Sequence, residues 1–290
     1  MAKKLKTAKR TAKKKVSYRS AMSVATNVKK TAKQRAAAIA SAPAAVIEND
    51  KDMQAMLRVL GNADEPIAVR LAALQALQAA SFSVLAFASS RGDYVATLRK
   101  VATDPDPELR QRVLGTLMRD QDGFAQKKLL DGLKDPAKAL VPPAKALQLL
   151  SYDVHADAYQ IARDIVKKPP NDDAKREALR LLAADSMAAP IFEKVLRDKK
   201  ELRANRQIAA SALHSINPDK FQQYARKILL DKSDYDDIRA TSLVALQQFG
   251  DEEALAKDKT LLKTVKGFSG GKTQAKYKKT AKQFLSKYDR

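Results

Sequence analysis

The chain has 290 residues, 45% hydrophobic and 30% charged, with aromatics at only 6%, so alanine and leucine must supply most of its packing and helices are expected. It has no cysteine, which excludes disulfides, thiolate metal sites and cysteine nucleophiles and suits a cytoplasmic chain, with nucleoid or nuclear association as the alternative. The net charge of +22 sits at the two ends: residues 1–35 hold 13 basic and no acidic residues, residues 256–290 hold 11 basic and 2 acidic, and residues 36–255 balance.

Residues 1–18 have too little apolar surface to offset the entropy of ordering, so they are expected as a disordered basic tail carrying Lys3, Lys4, Lys6, Lys9, Arg10, Lys13, Lys14 and Lys15. From Arg19 onward Met22, Ala25, Val28, Ala32, Ala36 and Ile39 recur at helical spacing. They predict a first helix with its lysines outward, opening a repeat body over 19–265. The alanine-rich stretch 36–47 is broken by Pro43 and preceded by too long a charged segment for a signal peptide. The lysine bias of 1–35 also argues against a transit peptide, and no run of about 18 apolar residues predicts a transmembrane span.

Six segments then align without gaps, beginning at Val69, Leu109, Pro142, Ala174, Asn205 and Ile238, at spacings of 40, 33, 32, 31 and 33 residues. Their second positions are Arg70, Arg110, Pro143, Lys175, Arg206 and Arg239. Seven residues after each comes leucine: Leu77, Leu117, Leu150, Leu182, Leu213 and Leu246. Small or apolar residues stand at offsets three and four, so each copy carries one apolar stripe that a neighbouring copy must cover. A second helical pattern lies in each period, over 94–102, 124–133, 158–166, 191–196 and 221–230. Turn and capping residues separate the two patterns, as in Asp104-Pro105-Asp106-Pro107 and Asn217-Pro218-Asp219. The extra residues of the first period fall near 81–91, SFSVLAFASSR, which extends a helix or forms a longer loop.

In DPDPELRQRVLGTL (104–117) and SDYDDIRATSLVAL (233–246) an acid-rich turn precedes a cation that opens the next helix. In this respect the region of roughly 50–250 resembles the HEAT family and its short HEAT-like bacterial form. The resemblance implies an all-α fold, a right-handed α-solenoid of about six HEAT-like helix-turn-helix repeats. It also implies a ladder between neighbouring repeats, here using Asp64, Asp104 or Asp106, and Asp234 or Asp236 with Arg70, Arg110 and Arg239. Pro142 and Pro143 interrupt that ladder in the third copy. The family's second helices line the concave face, which makes Arg112, Lys145, Arg176 and Arg180 candidate contacts because they have no equivalent in every copy.

The stretch 266–290 is expected as a flexible link, GFSGGKT at 267–273, leading into a basic capping helix. There Tyr277, Ala281, Phe284, Leu285 and Tyr288 share one face, while Lys276, Lys278, Lys279, Lys282 and Lys287 occupy the rest. Ser269-Gly270-Gly271-Lys272-Thr273 falls short of a phosphate loop, because Lys266 stands where its first glycine is required and no strand precedes it. The run 231–237, DKSDYDD, lacks the central glycine and terminal glutamate of a calcium loop and is expected to cap a helix. His155 and His214 are joined by no clustered acid at ligand spacing, so no metal or cofactor is expected and no catalytic residue is assigned.

The cationic ends favour a polyanion by counterion release, and lysine over arginine suits attraction to a backbone more than base reading. The tail also resembles, in composition, the lysine and alanine tails of linker-histone-type chromatin proteins. The expected function is a monomeric, non-catalytic scaffold with protein partners on its repeat surface. DNA or RNA would be held at Lys3, Lys4, Lys6, Lys9, Arg10, Lys13, Lys14, Lys15, Lys276, Lys278, Lys279 and Lys282. Two alternatives stand beside it: a protein adaptor whose ends serve solubility or targeting, and a HEAT-like DNA glycosylase. The second lacks the tryptophans such enzymes place around a catalytic acid, since the chain has none. Bilin lyases have similar repeats, but no residue here speaks for a tetrapyrrole.

Overall fold

A computed structural model describes residues 20–41, 50–152, 156–270 and 275–289, and among these every regular element is helical. The chain divides into two compact units, Met1–Val141 and Pro142–Arg290. Both are built from stacked helix pairs, so the all-α fold of repeated HEAT-like two-helix units stands.

In the first unit a helical segment at 20–25 precedes α1 (Ala32–Ser41). There follow α2 (Asp50–Gly61), α3 (Ile67–Ser81), the short α4 (Val84–Phe87), α5 (Arg91–Val101), α6 (Pro107–Arg119) and α7 (Gly123–Lys134). The helix expected to run continuously from Arg19 is broken in two. Asn27 accepts from the Lys29 amide at 2.9 Å in a turn that leaves Val28 exposed, and a capping box restarts the helix. Thr31 Oγ1 accepts from the Gln34 amide at 3.2 Å while Gln34 Oε1 accepts from the Thr31 amide at 3.1 Å. At the far end of α6 Gln121 adopts φ 57°, and the Asp122 amide reaches back to the Leu117 carbonyl at 2.9 Å. Asp122 then caps α7 through the Ala125 amide at 3.0 Å.

The second unit contains α8 (Pro143–Leu150), α9 (Ala156–Lys167), α10 (Asp172–Leu182), α11 (Ala189–Arg197), α12 (Arg203–Ile216), α13 (Pro218–Leu230) and α14 (Asp236–Phe249). It closes with α15 (Glu252–Lys257), α16 (Lys259–Ser269) and α17 (Ala275–Tyr288). Helices α8, α10, α12 and α14 pack in succession as one layer, and α9, α11 and α13 lie against them as the other. Pro143 starts α8 without loss because the first amides of a helix have no partner inside it.

The stripes expected at offsets three, four and seven are buried in all six copies, from Ala73, Leu74 and Leu77 to Ser242, Leu243 and Leu246. The expected second helices over 94–102, 124–133, 158–166, 191–196 and 221–230 fall in α5, α7, α9, α11 and α13. The link expected from 266 begins inside α16, which runs to Ser269, and residues 271–274 lie outside the described set.

Candidate functional site

The repeat-opening cations do one structural job in several copies. Arg35, Arg70, Arg206 and Arg239 each donate from Nε to the carbonyl ten residues earlier, Ala25, Leu60, Leu196 and Leu229, at 2.9, 3.0, 2.9 and 3.2 Å. The rest of the guanidinium reaches forward to a turn acid of the next repeat. Arg35 meets Glu65 at 2.6 and 2.8 Å, Arg70 meets Asp104 at 2.5 Å, and Arg206 meets Asp234 at 2.7 Å from both terminal nitrogens. Each arginine thus ties the helix behind it to the repeat ahead, and all three are buried.

The ladder differs from the expected one in four places. Glu65, not Asp64, is the first acid, and its partner Arg35 belongs to a copy that the alignment from Val69 leaves out. Arg110 donates to the carbonyls of Asp104, Pro105 and Leu140 instead of a carboxylate. Lys175 pairs with Glu201. Burial works to raise the Glu201 carboxyl, but hydrogen bonds from Lys175, Asn205 and its neighbour's amide hold it below its ordinary range. Asp234 belongs to Arg206, while Arg239 has only Asp236 of its own helix at 3.5 Å and otherwise lies over the ring of Phe268, 4.4 Å from its centroid. An aromatic ring from α16 therefore closes the ladder.

A second set of ties joins the other layer. Arg99 meets Asp122 at 2.7 Å, Arg163 meets Asp185, and Arg226 meets Asp258 at 2.5 Å. Each of these acids also caps the element it opens, through the Ala125, Met187 and Leu261 amides. The hydrogen bond from Arg226 holds the Asp258 carboxyl below its ordinary range. Two of its spacings, 23 and 22 residues, fall short of the main period, which hid this set in the sequence, and only the third, 32, matches it.

The candidate contacts Arg112, Lys145, Arg176 and Arg180 are each held within one helical turn. Arg112 bonds to Glu108 at 2.7 Å, Lys145 to Gln148 at 2.8 Å, Arg176 to Asp173 and Arg180 to Glu177. Arg180 also stands beside an open cleft of about 320 Å³ lined by Gln207, Ile208, Ser211 and Ser215. Lys3, Lys4, Lys6, Lys9, Arg10, Lys13, Lys14, Lys15 and His155 lie outside the described residues. So does the side chain of Lys276, although its backbone is helical.

The remaining lysines of the C-terminal end come together on α16 and α17. The two helices pack on each other and against α13 and α14, burying Leu261, Leu262, Val265, Phe268, Ala281, Phe284 and Tyr288. The Tyr288 hydroxyl donates to the Gln247 carbonyl at 3.2 Å, and Lys266 and Lys287 pair with Asp289 and Glu252. Lys259, Lys263, Lys279 and Lys282 are exposed and Lys278 is half-buried, with no acidic partner among the described residues. The hairpin thus occupies the place of one more repeat in unit two and turns a lysine face outward.

His214 is half-buried at the end of α12, its ring edge-on to Phe221 and Phe249 at 5.7 and 5.0 Å between centroids, and its Nε2 has no partner. Burial pushes the imidazole below its ordinary range. The acids of 231–237 are taken by protein donors. Asp231 accepts from Lys199 and Ser233, Asp234 from Arg206, and Asp237 from Arg203 at 3.1 Å.

Stacked helix pairs, an arginine ladder and a lysine-faced terminal hairpin define a helical-repeat protein. No family model and no curated protein matches the chain. Among solved structures it is similar to human deoxyhypusine hydroxylase in complex with glycerol, at 15% identity and a TM-score of 0.33, covering 86% of this chain and 99% of that one. It is also similar to the complex of CpcE and CpcF of phycocyanin lyase from Nostoc sp., at 16% identity and a TM-score of 0.27, covering 92% of each chain. The expectation of a non-catalytic chain is corrected by these comparisons, in which both proteins carry the names of enzymes, a hydroxylase and a lyase. No described helix is long and apolar enough to cross a membrane.

Proposed function

We propose that the chain binds the phosphate backbone of nucleic acid, without sequence specificity, through the α16/α17 hairpin and the basic tail 1–18. The observation that carries this reading is the charge of the hairpin. Residues 259–289 contain nine lysines, no arginine and one acid, Asp289. Of these, Lys259, Lys263, Lys266, Lys278, Lys279, Lys282 and Lys287 stand on helices already docked by a buried apolar face, so binding need not first order the backbone that presents them. Lysine without arginine favours attraction to phosphates over bidentate reading of bases.

Within unit two the repeats support this role as a mount for the hairpin, since Arg206 ties one repeat to the next. The test is a mobility-shift assay of the full chain on duplex DNA and single-stranded RNA at about 50 mM and about 200 mM salt, a range that separates phosphate-dominated binding from other modes. Binding to both that weakens steeply with salt supports the proposal. A chain that leaves both unshifted at the lower salt contradicts it.

A further inference from the structure

Three large apolar side chains stand almost free of the first unit within four positions. Phe82 is 86% exposed, Val84 66% and Leu85 92%. They occupy the extra residues of the 40-residue period, on the turn into α4, where Ala86 and Ala88 are exposed as well. Isolated exposed leucines are ordinary, whereas a cluster of this kind marks a binding surface. The turn is also pinned in place. Phe87 is fully buried and meets the ring of Tyr94 edge-on, with centroids 5.2 Å apart and planes at 85°. One aromatic thus anchors the segment inward while its neighbours project outward.

The charges along the chain on either side of the projection indicate what covers it. Between Glu65 and Asp93 there is no acidic residue, and of the two cations Arg70 is buried and paired, leaving Arg91 exposed at the base. The polar residues flanking it are small: Ser81, Ser83, Ser89 and Ser90. The same unit carries exposed Lys29, Lys30 and Lys33 at the start of α1, which packs on the α3 helix that leads into the projection. A second copy is a poor occupant because the chain would meet its own charge of +22, and a nucleic-acid backbone offers no apolar layer. An anionic lipid surface accepts both features: the acyl boundary takes an uncharged apolar projection, and the headgroups attract the basic segment.

We infer that Phe82, Val84 and Leu85 form a membrane anchor that inserts into the interface of an anionic bilayer, with Lys29, Lys30 and Lys33 supplying the second attraction. One apolar contact or one basic segment alone gives weak, reversible attachment, and the pair together gives stable attachment. This inference rests on residues of the first unit that the nucleic-acid reading, on the α16/α17 hairpin and the tail 1–18, does not use.

The absence of tryptophan makes a direct test available, because Phe82→Trp introduces a single reporter at the projection. The full-length variant is mixed with vesicles of phosphatidylcholine, with vesicles containing phosphatidylserine, and with duplex DNA, after circular dichroism confirms an unchanged helix content. The expected result is a blue shift of emission with phosphatidylserine vesicles only. Adding Leu85→Asp is expected to weaken vesicle affinity by about tenfold or more, by removing apolar burial and adding a repelled charge. Co-sedimentation without a blue shift, or with undiminished affinity after Leu85→Asp, would show attachment by charge alone and overturn the anchor. Failure to co-sediment overturns it as well. A blue shift that grows with protein concentration in buffer assigns the projection to a second copy, and one produced by DNA assigns it to nucleic acid.

Discussion

Arg206 grips Asp234 from both terminal nitrogens at 2.7 Å while its Nε holds the Leu196 carbonyl at 2.9 Å, with both side chains almost fully buried. Three elements of unit two therefore meet on one guanidinium. Removing it leaves the buried Asp234 carboxylate uncompensated, with only the Tyr235 amide as donor, and takes the side-chain donor from the Leu196 carbonyl. Arg206→Ala is expected to destabilise that unit by about 3–5 kcal/mol, and Asp234→Ala similarly, whereas loss of the exposed Arg112–Glu108 pair costs under about 0.5 kcal/mol. Urea unfolding of the three variants measures the difference. Equal midpoints would mean that the ladder does not hold the repeats.

The ladder ends where Arg239 lies against Phe268 instead of a buried acid. Phe268→Ala removes that ring and a buried contact of α16, at an expected cost of about 3–5 kcal/mol. Hydrogen exchange is expected to rise first in α16 and α17. Protection unchanged there would show that the hairpin is held by other contacts.

Gly250 follows α14 with no room for a side chain. A Cβ there would lie 2.4 Å from the Leu246 carbonyl oxygen and 2.3 Å from Leu255 Cδ1. The leucine can rotate away, but the carbonyl belongs to the helix backbone. Gly250→Ala is expected to destabilise by about 1–3 kcal/mol in thermal unfolding, and an unchanged midpoint would disprove the close approach.

His214 gives the fold a pH dependence. Burial lowers its folded pKa below the unfolded value of about 6.5, so between the two the unfolded chain holds more protons and stability rises with pH. The contribution is complete above about pH 6.5 and is lost as pH falls toward the lowered folded value. His214→Phe, which keeps the edge-on contact with Phe221 and Phe249, is expected to flatten that part of the stability profile. Parallel profiles for the two proteins would exclude this histidine as the cause.

The body was legible in the sequence because its stripe repeats. Leucine at offset seven and small residues at three and four mark every buried seam from Leu77 to Leu246, and the turn acids mark most boundaries. The Arg35 copy escaped because Ala42 stands where the other copies have leucine and because lysines surround it, although Thr31-Ala32-Lys33-Gln34 spells a capping box. Ladder partners were harder to read than ladder arginines. Asp104 and Asp106 are two residues apart, one paired with Arg70 and the other capping Leu109, and only the turn geometry separates those roles. The C-terminal lysines were visible as composition, but their position on a docked hairpin depends on Phe268, Phe284 and Tyr288 finding a shared core.

The hairpin's role is tested most directly by the salt dependence of DNA affinity in the full chain and in a variant carrying Lys278→Gln, Lys279→Gln and Lys282→Gln. Each phosphate contact contributes about −0.9 to the slope of log affinity against log salt, so three lost contacts are expected to make the slope shallower by about 2.7 and to weaken binding at low salt. An unchanged slope and affinity, in a variant that unfolds at the wild-type midpoint, would contradict nucleic-acid binding by the hairpin.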